Sequence, residues 1–204
     1  MIRTALRAPS GAGEMVADGL RVLALVGIVV AGLGWGTIAG VSLAVVSVGM
    51  FLPRLLDIRP SADITFGLVV LVAVWSSVLQ IYISTRWWDL PMHFLTNGLC
   101  AALCYLLLVK LDVLPDAATL SRPMLSAVVM TTALGLSLGA LWEVFEWFGH
   151  TFIDEEIYVG YVDTIGDLVW GGAGAVLAGW SVSFLVTRST GADRPSRPSR
   201  PIPG

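Results

Sequence analysis

Charged residues and cysteines are both scarce in this sequence. Asp, Glu, Lys and Arg make up 13% of its 204 residues, whereas soluble domains carry about 25%. This composition excludes a water-soluble domain, because too few charges are available to cover its surface. The two cysteines cannot form the disulfide framework of a small secreted scaffold. A net charge of -3 argues against a nucleic-acid partner.

Apolar residues dominate instead, at 56% of the chain, with a mean hydropathy of +0.81. A bilayer core about 30 Å thick needs roughly 20 apolar residues in a helix. Uncharged stretches therefore predict an all-α, polytopic membrane protein with six transmembrane helices. The first two are short and share the interval between Arg21 and Arg54, with a break at 34–36, and the others cover roughly 64–83, 89–111, 123–149 and 162–187.

The placement of basic residues predicts the orientation. With six spans, one side holds every Lys and Arg except Arg86, and short cytoplasmic loops are enriched in such residues. Both termini are therefore expected in the cytoplasm. The predicted parts are a cytoplasmic segment at 1–19, a transmembrane domain at 20–187, and a disordered, basic, Pro-rich cytoplasmic tail at 188–204. Membrane lipids are the expected partners, and the tail is expected to touch anionic head groups.

Acidic and imidazole residues collect at one end of the last three predicted helices. An unpaired charge in hydrocarbon costs at least about 2.5 to 3.5 kcal/mol, so this grouping is informative. By the predicted topology, all of them lie toward the outer side. Asp89 and His93 begin the fourth span, Glu143, Glu146 and His150 end the fifth, and Asp163 and Asp167 begin the sixth.

Rows of small residues lie below this group at helical spacing. Residues three and four apart share a helix face, and small residues let helix backbones approach closely in lipid. We therefore expect the fifth and sixth helices to pack tightly and to bring Glu143 toward Asp167. The small residues are Gly135 and Gly139 on the fifth helix and Gly171, Ala175 and Gly179 on the sixth.

Carboxylates held close together in a low dielectric repel one another, and protonation, a basic partner or a cation must relieve the repulsion. The nearby basic groups are His93, His150 and Arg86, and they do not neutralise all the acids. A divalent ion, such as Mg, Mn, Fe or Zn, would do so. The predicted metal ligands are His93, Glu143, Asp163 and Asp167. Glu146 is the candidate general base, and Asp89 is the candidate partner that orients His93.

Several of these residues also have a purely structural interpretation. Asp89 and Asp163 are both candidates for N-cap residues. His93 can simply pair with Asp89, one turn away, and His150 can end its helix in solvent. Glu143 and Glu146 resist such an interpretation, because the carboxyl end of a helix disfavours acids. Cys100 and Cys104 are interpreted as small packing residues.

Three segments resemble the YjdF family of bacterial inner-membrane proteins: WDLPMHF at 88–94, GALWEVFEW at 139–147 and YVDTIGDL at 161–168. They are also distantly similar to VanZ-type membrane proteins, which share the order D-x-x-x-H-F, then E, then D. The resemblance covers roughly residues 87–180 and implies a multi-pass protein of the bacterial plasma (inner) membrane. It implies that Asp89, His93, Glu143, Glu146, Asp163 and Asp167 match the family's recurrent polar residues, whereas Gly171 stands where another acidic residue is expected.

These observations favour an outward-facing, metal-dependent site for hydrolysis or group transfer on a lipid-linked or envelope substrate. A transporter that uses the carboxylates to bind a cation or to relay protons is an alternative, although transporter sites usually lie near the bilayer midplane. A third interpretation gives the cluster only a structural role, in which hydrogen bonds lock the last three helices together. The sequence leaves enzymatic activity open.

Overall fold

The computed structural model describes residues 7–155 and 157–185, and these residues are almost entirely helical. No strand occurs within these two ranges. Two short helices, Leu52–Leu55 and Ile81–Ser84, and two 3₁₀ turns, Arg86–Trp88 and Ala117–Thr119, lie between the long helices. The long helices are α1 (Ala12–Trp35), α2 (Thr37–Gly49), α3 (Pro60–Val78), α4 (Asp89–Lys110), α5 (Pro123–Phe152) and α6 (Tyr161–Leu185).

Six helical segments are long and apolar enough to cross a membrane, which confirms the predicted all-α fold. The second segment combines α2 with the short helix that follows it, and together they cover the 19 residues Thr37–Leu55. Helices α4 and α5 begin at the predicted residues, and α5 runs to Phe152, past its predicted end. The predicted tail at 188–204 lies outside the described residues.

The first helix begins earlier than expected, at Ala12, within the segment assigned to the cytoplasm. In its first turn, the Glu14 carboxylate accepts a hydrogen bond from the Ser10 backbone N–H at 2.9 Å. Arg21 therefore lies inside the helix and does not mark its start. The prediction used Arg21 as a limit of the first span, and a charge that has a buried partner can instead lie within a helix.

The partner of Arg21 is Asp63 of α3. The guanidinium donates to both carboxylate oxygens, at 2.6 and 2.8 Å, and its Nε donates to the Met50 carbonyl at 3.0 Å. Asp18 accepts from Arg21 at 3.0 Å and from Arg54 at 2.9 Å. Alternating acids and arginines thus join α1, α3 and the connection after α2, and each buried charge is offset by a neighbour of opposite sign.

The basic residues gather at the end of the bundle that holds this network. The Lys110 ammonium donates to the Leu55 carbonyl at 2.5 Å, and Arg54 donates to the Arg7 carbonyl at 2.7 Å. The Arg59 backbone N–H donates to the Leu185 carbonyl at 2.9 Å. This end of the bundle, which we call the basic end, therefore holds every described Lys and Arg except Arg86, together with several acids. That placement is the one the predicted orientation requires, while the cytoplasmic location of this end stays a prediction.

The helices form two groups of three, α1–α3 and α4–α6, joined mainly where α3 meets α4. In the second group, α6 packs against both α4 and α5. A methyl group at Gly174 of α6 would overlap the Phe94 carbonyl of α4, so only glycine permits this approach. Along the α5–α6 contact, Gly135 faces Ala175, and the Thr131 hydroxyl donates to the Ala175 carbonyl at 3.1 Å. The predicted tight packing of α5 and α6 is confirmed.

The Gly174→Ala substitution should separate α4 from α6, because the added carbon meets backbone atoms that cannot move aside. We expect a loss of about 1–3 kcal/mol in stability, seen as a lower melting temperature of the detergent-purified protein. Gly19→Ala is the matched control, since nothing lies within 4 Å of its added carbon. An unchanged melting temperature for Gly174→Ala would contradict the close α4–α6 packing.

Candidate functional site

The candidate site lies at the end of the bundle opposite the basic end, where α4 and α6 begin and α5 finishes. Its innermost member is Asp167, which is 2% exposed. Neither of its carboxylate oxygens has a hydrogen-bond partner, and Oε1 of Glu143 is also buried without one. Buried polar atoms in native proteins are almost always hydrogen-bonded. These three oxygens are therefore the feature of the site that most needs an explanation.

Asp167 belongs to two groups of potential metal ligands. One consists of Asp89, His93 and Asp167, and the other of Glu143, Glu146 and Asp167. Within each group, one ligand atom per residue lies within 4.8 Å of the others. The three helices therefore bring together five of the six residues that the sequence singled out. Tight α5–α6 packing carries Glu143 to Asp167, as the rows of small residues predicted.

His93 pairs with carboxylates from two helices through one ring nitrogen. Its Nε2 lies 3.4 Å from Oδ1 of Asp89 and 3.8 Å from Oδ1 of Asp167. The pairing with Asp89 one turn away, considered from the sequence, is thus present. A carboxylate that orients a metal-bound histidine usually contacts the ring nitrogen remote from the metal. Asp89 instead approaches the same nitrogen as Asp167, on the side that faces the other carboxylates.

Asp163 is the site residue that neither group includes. It is the third residue of α6, one turn before Asp167, and it is partly buried. Its interpretation as an N-cap is wrong, because α6 begins two residues earlier, at Tyr161. The same interpretation of Asp89 is also wrong, since Asp89 is the first residue of α4 and Trp88 is the N-cap.

The other basic residues near the cluster contact the loop between α5 and α6. The Nδ1 atom of His150 lies 2.6 Å from the Ile157 carbonyl oxygen, so His150 joins the end of α5 to this loop. The Arg86 guanidinium lies 4.5 Å from the centre of the Tyr158 ring, in a cation–π contact. Among the described residues, His93 is therefore the basic side chain that lies within 4 Å of carboxylates of the cluster.

Asn97 explains why residue 171 is not acidic. Its side-chain amide donates to the Gly135 carbonyl at 3.0 Å, which ties α4 to α5. A carbon added at Gly171 would lie 2.6 Å from the same amide nitrogen. The amide thus fills the space that a side chain at 171 would need. One turn deeper than Asp167, the Asn97 amide therefore takes the place of a further acidic residue.

Tyr82 is a neighbour of the site that the sequence did not reveal. It lies in the short helix before α4, and its hydroxyl donates to the Ala73 carbonyl at 3.1 Å. Burial, together with the negative charges of Asp89 and Glu146, raises the pKa of Tyr82 well above its ordinary value. No motif marks this residue, since its proximity follows from the turn between α3 and α4.

This arrangement has the chemistry of a cation site. Carboxylate oxygens from three helices and one imidazole nitrogen lie close together around the buried Asp167. Oxygen-rich sites with some nitrogen suit Mg, Mn, Fe or Zn. The residues around Asp167 therefore fit a divalent metal ion in both ligand type and spacing.

The fold and this cluster define a multi-pass integral membrane protein with a carboxylate and histidine site at one end of its bundle. The model of one membrane-protein family matches residues 19–188. The chain belongs to this family, DUF2238, described as predicted membrane proteins. A search of the curated proteins finds no match. A search of the solved structures also finds none.

Asp167→Asn should raise the stability of the protein in the presence of a metal chelator. The amide removes a buried negative charge and offers N–H donors to the oxygens around it, and relieving one unsatisfied buried group is worth about 1–3 kcal/mol. Melting temperatures of detergent-purified protein in EDTA test this. Asp112→Asn, in the exposed turn after α4, is the control. A less stable Asp167→Asn protein would indicate that the carboxylate is satisfied without metal.

Proposed function

We propose that the cluster around Asp167 binds a divalent metal ion and catalyses hydrolysis or group transfer on a lipid-linked or envelope substrate. The observation that carries the proposal is the Asp167 carboxylate, which is buried, has no hydrogen-bond partner and belongs to both groups of potential ligands. The proposed ligands are His93, Glu143, Asp163 and Asp167, and the spacing of Asp89 adds it to this set.

A bound ion accounts for the cluster better than a structural role does. A cluster that served only to lock helices would be expected to satisfy its buried atoms by hydrogen bonds. At the other end, the Asp63 carboxylate accepts hydrogen bonds from Arg21 on both of its oxygens, although Nε of Arg54 in the same network is buried without a partner. At the Asp167 end, buried oxygens instead lack donors. A metal ion is the partner that such oxygens take without any donor hydrogen.

The proposed reaction uses the ion as a Lewis acid. A bound ion would lower the pKa of a water that it holds, and a carboxylate of the cluster, assigned from the sequence to Glu146, would accept the proton. The water oxygen then bonds to the phosphorus or carbonyl carbon of the substrate, the bond to the leaving oxygen breaks, and the proton passes to that oxygen. In group transfer, an acceptor hydroxyl takes the place of the water.

A groove between α5 and α6 supports a lipid-linked substrate. It has a volume of about 410 Å³ and an almost wholly apolar lining, formed by Thr132, Leu136, Ile165, Leu168, Val169, Gly172 and Val176. Leu168 directly follows Asp167, so one lining residue of the groove is next to the site in sequence, although no carboxylate of the cluster lines the groove itself. In a bilayer the groove lies at the depth of the hydrocarbon, where an apolar chain is its natural occupant. A lipid tail in the groove would place its head group toward the cluster.

The proposed setting is the outer face of the bacterial plasma membrane. The distribution of basic residues supports this orientation, and membership in a membrane-protein family is consistent with the YjdF-type resemblance. The substrate would therefore approach from the outer leaflet or the envelope.

Metal analysis of the purified protein tests the proposal. Wild type should retain a divalent metal, and Glu143→Gln and Asp167→Asn should lose at least half of it while their helix content is unchanged, because each removes a charged ligand. Asp112→Asn, an acid-to-amide change outside the cluster, should retain it. Inductively coupled plasma mass spectrometry measures the metal, and circular dichroism measures the helix content.

Two outcomes would contradict the proposal. A wild-type protein that binds no added divalent metal, with variants that unfold, would favour the structural role. Liposomes in which the protein carries a flux driven by a proton gradient, abolished in Asp167→Asn, would favour transport. Metal-dependent cleavage of a lipid phosphate ester by wild type, absent from Asp167→Asn, would support the enzyme.

A further inference from the structure

We propose that the site holds two divalent cations, with the Asp167 carboxylate as the bridge between them. This inference rests on the proposed metal-dependent function and specifies how many ions that function uses. One ion is assigned to Asp89 and His93, and the other to Glu143 and Glu146. Asp167 completes both sets of ligands.

The spacing of the ligand atoms is compatible with one ion in each group. Divalent ions bind protein oxygens at about 2.0–2.6 Å, so ligands of a single ion lie within roughly 4–5 Å of one another. Each of the two groups meets this limit by itself, at 4.8 Å. Each group thus provides three ligand atoms around one point, and three protein ligands with open positions are typical of catalytic metal sites.

The two free oxygens of Asp167 support its role as a bridge between the ions. Both of its oxygens are buried and lack hydrogen-bond partners. A partner on one oxygen alone would leave the other oxygen unsatisfied. A carboxylate that bridges two ions uses one oxygen for each. Paired ions in hydrolytic and group-transfer sites lie about 3.5–4 Å apart, a distance that a single bridging carboxylate spans.

The negative charge of the cluster favours two ions over one. Its five acids supply up to five negative charges: Asp89, Glu143, Glu146, Asp163 and Asp167. The arginines that pair with acids, Arg21 with Asp63 and Arg54 with Asp18, lie at the other end of the bundle. One divalent ion would leave most of this charge uncompensated in a low dielectric, whereas two ions nearly balance it.

A two-ion site changes the role of Glu146. In a one-ion site Glu146 is free to accept a proton from the bound water. With two ions, Glu146 would be a ligand of the second ion, and the two cations would supply the acidification of a bound water without a protein base. The loss of metal in a Glu146 variant therefore separates the two arrangements.

Titration of the metal-stripped, full-length protein with Mn²⁺ tests this proposal. Wild type in lipid nanodiscs should bind two Mn²⁺ ions per chain and should give the electron paramagnetic resonance spectrum of a spin-coupled pair. His93→Ala and Glu146→Gln should each bind one ion, with the spectrum of isolated Mn²⁺. Asp167→Asn should abolish the coupled signal, and Asp112→Asn should match wild type.

The possible results separate the two proposals. One uncoupled ion per wild-type chain, retained in Glu146→Gln, would overturn the two-ion site and leave a one-ion enzyme with Glu146 as the base. Two ions without coupling would overturn the Asp167 bridge. No bound Mn²⁺ in folded wild type, with Mg²⁺, Fe²⁺ and Zn²⁺ also failing to bind, would overturn both the bridge and the proposed function.

Discussion

The burial of the Asp167 carboxylate, neither oxygen of which has a hydrogen-bond partner, is the constraint on which this account depends. A charge removed from water must find a counter-charge or hydrogen-bond donors, or it destabilises the fold by several kcal/mol. Asp167 is held in place by packing, because α6 meets α4 at Gly174 and α5 at Ala175. The glycine contacts that draw these helices together also fix its surroundings. The same packing leaves its oxygens facing other carboxylates.

The two ends of the bundle handle buried charge in opposite ways. At the basic end, Arg21 and Asp63 neutralise each other through two hydrogen bonds, and Asp18 links two arginines. At the other end, acids outnumber their basic partners, and buried oxygens have no donors. In the first arrangement every buried charge has a neighbour of opposite sign. In the second arrangement, a bound cation would supply the partner that the buried oxygens lack. We therefore assign function to that end.

The six helices were predictable because the bilayer sets the length of an apolar span, and α4 and α5 begin where the sequence placed them. The α5–α6 contact was also predictable, since Gly135 and Ala175 belong to rows at helical spacing. The early start of α1 was not predictable, because Arg21 is neutralised by a residue 42 positions away. The contact of Asn97 with Gly171 was also not predictable, because these residues lie on different helices, far apart in sequence. Local spacing assigns residues to helix faces, and only the packed bundle decides which faces meet.

The most direct measurement of the central claim is anomalous X-ray scattering from crystals of the wild-type protein soaked in Mn²⁺. The account predicts anomalous density within metal-ligand distance, about 2.0–2.6 Å, of the Asp167 carboxylate oxygens, with His93 and Glu143 turned toward it. Crystals that show no such density, with water or a protein donor bound to both Asp167 oxygens, would contradict it. In that case the cluster would be a satisfied polar contact between helices and not a site for chemistry.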